Sequence, residues 1–578
     1  MAAAHPQHPG TVSADANLSP APATAILELA ERARVLAEFL SRRSSGDVRP
    51  LVVPYSVLGT FVVPILYFAF PHTTPTRRWL FRARWLVFIA IVLFNLDLMR
   101  STSSANFATA YAAGLLGSWG IMWGATVLVF TRPQFEYELI SRRRRQGQGR
   151  ETRIGLENGG CNSHAGGERG DWSKPDAQGQ GQEPNSKPEI QMDRLDEDVK
   201  RSLSEGYEYY WQPYPADAPF LDRLRWSINL SMSFRGAGWN YAIATIPRPL
   251  KPSRSGSREV VRMDTIPIRA HTGVTRCLTR REFFAKRLTS IIIAYLCLDF
   301  LAVLMMKDPY FILGDPDQSH PALSPFLLSM PYSLLCLYRY FLVMVGVWSA
   351  LLLMFSLHET VQLLATPWLL GPTQAELWQY PSVYGSAQSI LDRGLLGFWG
   401  GFWHQTFRHS FTAPLQWFFG GGAENLKKRS ASSQLVRATA LFVALGVSGL
   451  LHAAGSYTAV RETTAWKAPA FFLASAVGMV VQTALAGLLR PVVAPRSFPR
   501  FVRKAANVAF AVGWTYWTAA PLADDFSESG IWLYEPVPFS PLRALGFGHP
   551  GDRAWRHRWG QLPYLWKGGR WWESGLAI

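Results

Sequence analysis

Two histidines lie in or beside segments of this chain that are apolar enough to enter a lipid bilayer. His404 belongs to an aromatic segment, since residues 398–405 read FWGGFWHQ, and His452 ends a segment in which residues 441–452 read LFVALGVSGLLH. An ionisable side chain is costly inside a membrane, so a histidine there indicates a functional site. A neutral imidazole can accept a proton, and the pair therefore predicts general-base chemistry on a lipophilic substrate.

The surroundings of the two histidines favour different roles. No charged residue occurs between positions 441 and 451, and Ser448 lies one helical turn before His452 on the same face. His452 is therefore predicted to be the base, with Ser448 in support. His404 is predicted to assist it, with Trp403 and Gln405 beside it. The alternative makes His404 a packed interfacial residue and His452 a core residue that is hydrogen-bonded to a neighbouring helix.

Other chemistries fit the sequence less well. Leu450 occupies the position at which a GxSxG nucleophile elbow around Ser448 requires glycine, and the chain has no Walker-type, HExxH or dinucleotide-binding motif. The 4 cysteines form neither a CxxC pair nor a zinc spacing, so no metal site or disulfide framework is expected. Asp524 and Asp525 are predicted to cap a helix end, with metal or sugar-nucleotide binding as the alternative.

Apolar segments of membrane-spanning length recur along the 578 residues, and a bilayer core requires about 20 apolar helical residues. The sequence therefore predicts an all-α, polytopic transmembrane bundle of about eight spans. The candidate spans are residues 51–70, 85–98, 107–130, 288–306, 338–357, 441–452 with their flanks, 468–489 and 505–522.

The polar segments between these spans are basic, and the formal net charge is +17. Positive loops on the cytoplasmic side and contact with membrane lipids explain this charge, so no nucleic-acid partner is expected. Residues 1–50 are predicted to be disordered except for an amphipathic helix over 24–43, with no cleavable signal peptide. Residues 51–140 hold the first spans, 141–203 form a disordered polar loop that begins with four arginines, 204–550 form the core, and 551–578 form a Trp/Arg-rich tail.

The residues at 398–405 and 448–452 resemble the signature of wax-synthase-like membrane-bound O-acyltransferases of fungal type, which read FWGxxWHQ and SGxxH. Three further segments resemble elements of that family in the same order: RGAGWN at 235–240, YGS at 384–386 and WLYEPVP at 532–538. The chain lacks the arginine that the family often has near Gly401 and Phe402, which leaves the contact made by that arginine in doubt. The resemblance covers residues 205–550.

The resemblance implies transfer of an acyl group, with acetyl favoured, from acyl-CoA as co-substrate to the hydroxyl of a lipophilic alcohol. The acceptor would be a terpenoid-type natural product or a long-chain alcohol, and no cofactor would be bound. His452 would remove the hydroxyl proton, and His404 would assist at the developing oxyanion. Arg408, Arg393 and Arg235 are the candidates for contact with the CoA phosphates. The expected location is an internal membrane, the endoplasmic reticulum.

Two functions of other classes remain open from the sequence. A polytopic transporter could use intramembrane histidines as a proton relay, although no inverted repeat of the kind found in many transporters stands out. A membrane scaffold could dock partners through the arginine-rich loop, but it would not require histidines in apolar segments.

Overall fold

The computed structural model describes residues 22–145, 191–254, 256–317, 320–420, 422–489, 499–557 and 563–578. These residues fold mainly into helices, as predicted. In the first half of the chain the helices are α1 (Ala23–Ser44), α2 (Val63–Ala69), α3 (Arg78–Ser101), α4 (Phe107–Gly124), α5 (Pro133–Glu136), α6 (Glu197–Ser204), α7 (Phe220–Met232), α8 (Arg280–Met305), α9 (Pro309–Leu313) and α10 (Pro325–Leu328).

The second half of the chain contains the long helix α11 and the helices that surround both histidines. These are α11 (Tyr332–Leu370), α12 (Gln388–Gly397), α13 (Arg408–Phe419), α14 (Gly422–Ser432), α15 (Gln434–Tyr457), α16 (Lys467–Leu489), α17 (Arg500–Thr518), α18 (Ala520–Glu528) and α19 (Pro541–Ala544). Short strands lie outside the bundle: β1 (Val52–Val53), β2 (Leu139–Arg144), β3 (Tyr207–Gln212), β4 (Tyr564–Trp566) and β5 (Gly575–Ala577).

Six helices of the described residues are long and apolar enough to cross a membrane: α3, α4 with its π-helical extension to Phe130, α8, α11, α15 and α16. The protein is therefore an integral membrane protein. The predicted count of eight spans was too high by this criterion. The segment at 51–70 contains a shorter apolar helix, Tyr55–Ala69, and α17 begins with a charged turn that holds Arg500, Arg503 and Lys504.

Close helix packing at glycines holds α4, α15 and α16 together. A Cβ on Gly114 of α4 would lie 1.8 Å from the carbonyl oxygen of Ala454 in α15. One on Gly449 of α15 would lie 2.6 Å from the Cα of Pro469 in α16. Small residues allow helix backbones to approach in this way inside a membrane. The three helices therefore form a rigid unit around His452.

The ends of the predicted disordered loop at 141–203 are ordered in the structure, which corrects that interpretation. Strand β2 pairs antiparallel with β3, and helix α6 follows within the same segment. The basic residues of β2 have partners, since Arg142 Nη1 donates to Ser202 Oγ at 2.6 Å and Arg143 pairs with Glu208 at 2.7 Å. Residues 146–190 lie outside the described residues.

The N-terminal helix and the C-terminal tail pack together, so boundaries at 50 and 551 cut through one contact region. Helix α1 confirms the helix predicted over 24–43, and residues 1–21 lie outside the described residues. Glu535, from the WLYEPVP segment, accepts hydrogen bonds from Arg32 of α1 at 3.0 Å, from Arg543 at 3.2 Å and from Arg556 at 2.6 Å. Strand β5 pairs with both β1 and β4.

Candidate active site

His452 lies in the last two turns of α15, in a pocket of aromatic rings. Its imidazole stacks on Phe472 of α16, with ring centroids 5.1 Å apart and an interplanar angle of 19°, and Phe526 of α18 lies 6.0 Å away. The imidazole is half-buried. Its Nε2 atom makes no hydrogen bond with the described residues, so this nitrogen is free to act on a substrate. Ser448 is also half-buried, one turn earlier in α15.

The other face of His452 is held by Tyr111 of α4. The Tyr111 hydroxyl lies 3.4 Å from His452 Nδ1 and 3.0 Å from the His452 carbonyl oxygen. Gly455 makes room for this ring, because a Cβ there would lie 2.4 Å from Tyr111 Cε1. The glycine three residues after His452 therefore has a structural reason that the sequence alone did not reveal.

His404 occupies a short non-helical segment that local backbone irregularities create. Helix α12 is broken at Gly394, whose φ of 55° favours glycine, and a π-helical turn follows at Phe398–Phe402. Trp403 is extended, with φ −62° and ψ 150°. π-Helical turns occur frequently at functional sites, and this one ends immediately before Trp403 and His404.

Gln405 stabilises this segment and holds Arg408. Its Nε2 donates to the carbonyl oxygens of Trp399 and Trp403, both at 2.8 Å, and its Oε1 accepts from Arg408 Nη1 at 2.6 Å. Both amide protons are thus used within the segment. Gln405 therefore positions Trp403 and His404 and has no free donor for a substrate oxygen.

A continuous set of aromatic rings links the two histidines. His404 lies 5.4 Å from Trp403, Trp403 lies 6.1 Å from Trp399, and Trp399 lies 5.6 Å from Phe472, on which His452 stacks. His404 lies outside the six candidate spans. Burial, with smaller contributions from the nearby His452 and Arg235, lowers the pKa of His404 to about 3. The two histidines are therefore linked by ring contacts and close enough to interact electrostatically, and His404 is neutral.

Beside His404 lie several buried polar atoms that have no hydrogen-bond partner within the part of the chain that the structure describes. These atoms are His404 Nδ1, Tyr384 Oη, Trp348 Nε1 and Trp399 Nε1. The Tyr384 ring lies 6.5 Å from His404 and 6.1 Å from Trp348. Unpaired buried donors are rare in folded proteins and often mark functional sites, so this side of the site has donors available for a ligand oxygen. Tyr384 belongs to a motif that was recognised from the sequence, but nothing in the motif indicated a role as a hydrogen-bond donor.

Arg235 has a structural role that the sequence analysis did not predict. Its guanidinium pairs with Glu359 of α11 at 3.0 Å and donates to the carbonyl oxygens of Pro381 and Ser382, both at 2.8 Å. Glu359 also pairs with Arg287 of α8 at 2.6 Å. Because its donors are engaged, Arg235 is not well placed to bind a phosphate, and it instead joins α11 to the loop before α12.

Arg393 and Arg408 are exposed, in contrast to Arg235, and they face a common region. Arg393 Nη2 lies 2.9 Å from the position of a Cβ on Gly401. Partial burial lowers the pKa of His271. Four nearby cations lower it as well, namely Arg393, Arg408, Arg248 and Lys427. We call the four cations around His271 the cationic cluster. Two of its members, Arg393 and Arg408, flank residues 398–405 in the chain. The sequence analysis missed His271 because no motif surrounds it.

The structure gives no support for metal chemistry at Asp524 and Asp525. The described residues contain no group of three or more histidine, cysteine or acidic side chains that could hold a metal ion. Asp524 accepts from the Tyr310 hydroxyl at 2.8 Å, and Asp525 accepts from the hydroxyls of Ser456 and Tyr111. The prediction that these residues cap a helix end is wrong, since both make tertiary contacts instead.

Comparison with known proteins identifies the same segment. The profile of the Membrane bound O-acyl transferase family matches residues 380–474, which include both histidines. The chain resembles the membrane-bound O-acyltransferases. The matched segment runs from the loop before α12 to the first turns of α16. It therefore contains the π-helical turn, His404 and His452.

A curated relative supports this result over a longer part of the chain. The O-Mevalon transferase yanI of Aspergillus niger is 22% identical over 308 residues, which cover 52% of this chain and 61% of the relative. No solved structure matches the chain. The resemblance predicted from the motifs is therefore confirmed at the level of the family.

Proposed function

We propose that the protein is a membrane O-acyltransferase that moves an acyl group from acyl-CoA to the hydroxyl of a lipophilic alcohol. The observation that carries the proposal is the convergence of His452 and His404 within the family-matched segment, with a free Nε2 on one histidine and unpaired donors beside the other. The lipophilic alcohol would reach His452 from the bilayer, because His452 lies on the membrane span α15 and its ring packs against the span α16. The cationic cluster would receive the CoA phosphates.

In the proposed reaction, His452 Nε2 takes the proton of the acceptor hydroxyl while the hydroxyl oxygen attacks the thioester carbonyl carbon. The carbonyl oxygen becomes negatively charged, and donors on the His404 side stabilise it. The intermediate then re-forms the carbonyl, the carbon–sulfur bond breaks, and the CoA sulfur takes the proton from the His452 imidazolium. The products are an ester and free CoA, and no covalent acyl-enzyme is required.

General-base catalysis of this kind contributes roughly 10²–10⁴-fold in rate, and one oxyanion donor contributes roughly 10²–10³-fold. The Tyr384 hydroxyl is a suitable oxyanion donor, because burial raises its pKa and it therefore keeps its proton at neutral pH. The Trp348 indole is a second candidate, since its N–H is buried and unpaired.

We favour acetyl as the transferred group and a terpenoid-type or long-chain alcohol as the acceptor, and we expect the enzyme in the endoplasmic reticulum. The resemblance to wax-synthase-like enzymes supports an alcohol acceptor. The Aspergillus niger relative is named an O-Mevalon transferase. The acyl-CoAs tested as donors should therefore include others besides acetyl-CoA.

The test uses the full chain in lipid nanodiscs with a panel of acyl-CoAs and lipophilic alcohols, and it measures free CoA together with the ester. We expect acceptor-dependent CoA release that His452→Ala reduces by roughly 10²–10⁴-fold. His358→Ala is the matched control, because His358 also lies on a membrane helix but is exposed and distant in sequence from the signature. Full activity of His452→Ala would refute the base assignment, and proton-coupled uptake without ester formation would favour a transporter.

A further inference from the structure

A buried hydrogen-bond chain connects His452 to a carboxylate on another helix. The hydroxyl of Tyr111 in α4 lies between His452 Nδ1, at 3.4 Å, and Asp525 Oδ2 of α18, at 3.3 Å. The Ser456 hydroxyl, one turn after His452 in α15, donates to the other carboxylate oxygen of Asp525. The chain thus joins three helices and ends on a group far from His452 in sequence.

The members of this chain are enclosed. Tyr111 is 3% exposed, and Asp525 and Ser456 are 0% exposed. No described cation forms an ion pair with Asp525, so its partners are two neutral hydroxyls. A buried carboxylate without a cation costs stability relative to an apolar side chain. If the only role of Asp525 were to hold α4, α15 and α18 together, a neutral side chain could do so with a smaller loss of stability.

The number of protons on Tyr111 restricts how the chain can be arranged. A phenol donates one hydrogen bond and accepts others. When Asp525 is ionised it only accepts, so Tyr111 donates toward Asp525 or toward the His452 carbonyl oxygen. The Tyr111 oxygen then accepts a hydrogen bond from the Nδ1–H group of His452. In this arrangement Nδ1 carries the proton and Nε2 carries the lone pair that faces the substrate.

From this geometry we infer that Asp525 and Tyr111 are positioning residues that select the Nδ1-protonated tautomer of His452 and fix the direction of its base lone pair. Asp525 acts through Tyr111, and neither residue touches the reacting atoms. The inference rests on the proposed role of His452 as the base. It extends the site by two residues, one on α4 and one on α18, that lie outside the segment matched by the family profile.

The packing supports a dedicated position for Tyr111. Gly455 removes the side chain that would displace the ring, and Phe526 contacts the other side with ring centroids 5.6 Å apart. A ring held from both sides keeps its hydroxyl at one place. His452 is likewise fixed by its stack on Phe472.

The kinetic test compares Tyr111→Phe, Asp525→Asn and the double variant in the acyl-transfer assay. We expect each single variant to lower kcat about tenfold, which equals about 1.4 kcal/mol, with KM for both substrates unchanged. The double variant should be no worse than either single variant, since both interrupt one chain. Tyr310→Phe is the matched control, because it removes a buried phenol that donates to the neighbouring Asp524 of α18 and has no link to His452.

A second measurement does not depend on catalysis. Solid-state ¹⁵N NMR of histidine-labelled protein, assigned by loss of a signal in His452→Gln, reports which ring nitrogen carries the proton. We expect the Nδ1-protonated tautomer in the wild type and a mixture or the other tautomer in Tyr111→Phe and Asp525→Asn. An Nε2-protonated His452 in the wild type would overturn the inference, as would multiplicative effects in the double variant.

The two measurements separate the possible failures. If the wild type forms no ester with any acyl-CoA but shows the expected tautomer, the proposed function fails and the positioning of His452 stands. If ester forms and depends on His452 while the tautomer is unaffected by Asp525→Asn, the proposed function stands and the inference fails.

Discussion

The two histidines of the site are held in opposite ways. His452 lies within a regular helix, and Tyr111 and Phe472 from two neighbouring helices fix its ring. His404 lies in a non-helical segment, its Nδ1 has no partner, and the unpaired hydroxyl of Tyr384 lies on the same side. The groups that orient the His452 ring are in place within the fold, whereas the donors beside His404 have no partners among the described residues.

This difference indicates which histidine acts as the base and which side of the site binds the substrate oxygen. A base acts best when its lone pair is fixed in advance, and the His452 side meets that requirement. Donors to an oxyanion are useful when they point to charge that develops during the reaction. Unpaired donors beside His404 therefore fit the stabilising role, and the complete hydrogen bonds around His452 fit the role of the base.

The largest expected effect that separates the two sides comes from His404→Ala. If His404 helps to stabilise the oxyanion, this variant loses roughly 10²–10³-fold in kcat, with little change in KM for the acceptor. A glutamine at 404 should recover part of the loss, since its amide can also donate a hydrogen bond. Steady-state kinetics of the three proteins in nanodiscs provides the measurement.

His409→Ala is the control for this comparison, because His409 is buried five residues later and its Nε2 lies 2.9 Å from the Tyr137 hydroxyl. A lower thermal stability with retained kcat is expected for that variant. Equal losses of kcat in the two variants would show that His404 acts through packing.

The sequence predicted the helical class, the family and the two histidines, because apolar length and motif residues are local properties. It did not predict the partners of the histidines. Tyr111 and Asp525 lie 341 and 73 positions from His452, and no periodicity links such distant residues. Arg235 was a weaker candidate than Arg393 for a phosphate contact, but the sequence could not show that Arg235 pairs with Glu359 while Arg393 is exposed.

Two glycines allow the packing of the two sides to be compared directly. Gly455→Ala places a Cβ 2.4 Å from the Tyr111 ring, whereas Gly400→Ala places one where no heavy atom lies within 4 Å. We expect Gly455→Ala to destabilise the protein by about 1–3 kcal/mol, as overpacking does, and to lower kcat by displacing Tyr111. Gly400→Ala should change both quantities little. Thermal unfolding in nanodiscs and the ester assay check the two variants, and equal behaviour would contradict the difference between the sides.

The smallest expected effect concerns two arginines near the proposed CoA-binding region. One is exposed and the other is ion-paired. Arg393 is exposed beside the signature segment, so Arg393→Gln should raise KM for acyl-CoA about tenfold, or about 1.4 kcal/mol, with kcat and thermal stability retained. Arg235→Gln should instead lower the melting temperature, because it leaves the buried Glu359 with one cationic partner fewer.

Arg78→Gln removes an exposed charge at the start of α3 and controls for the change in net charge. KM values for acyl-CoA at low and high salt separate a phosphate contact from a general field, since an exposed contact weakens as salt rises. If Arg235→Gln raised KM without a loss of stability, its pairing with Glu359 would not describe its role. If Arg393→Gln behaved as Arg78→Gln does, the cationic cluster would have to bind the donor through its remaining members or not at all.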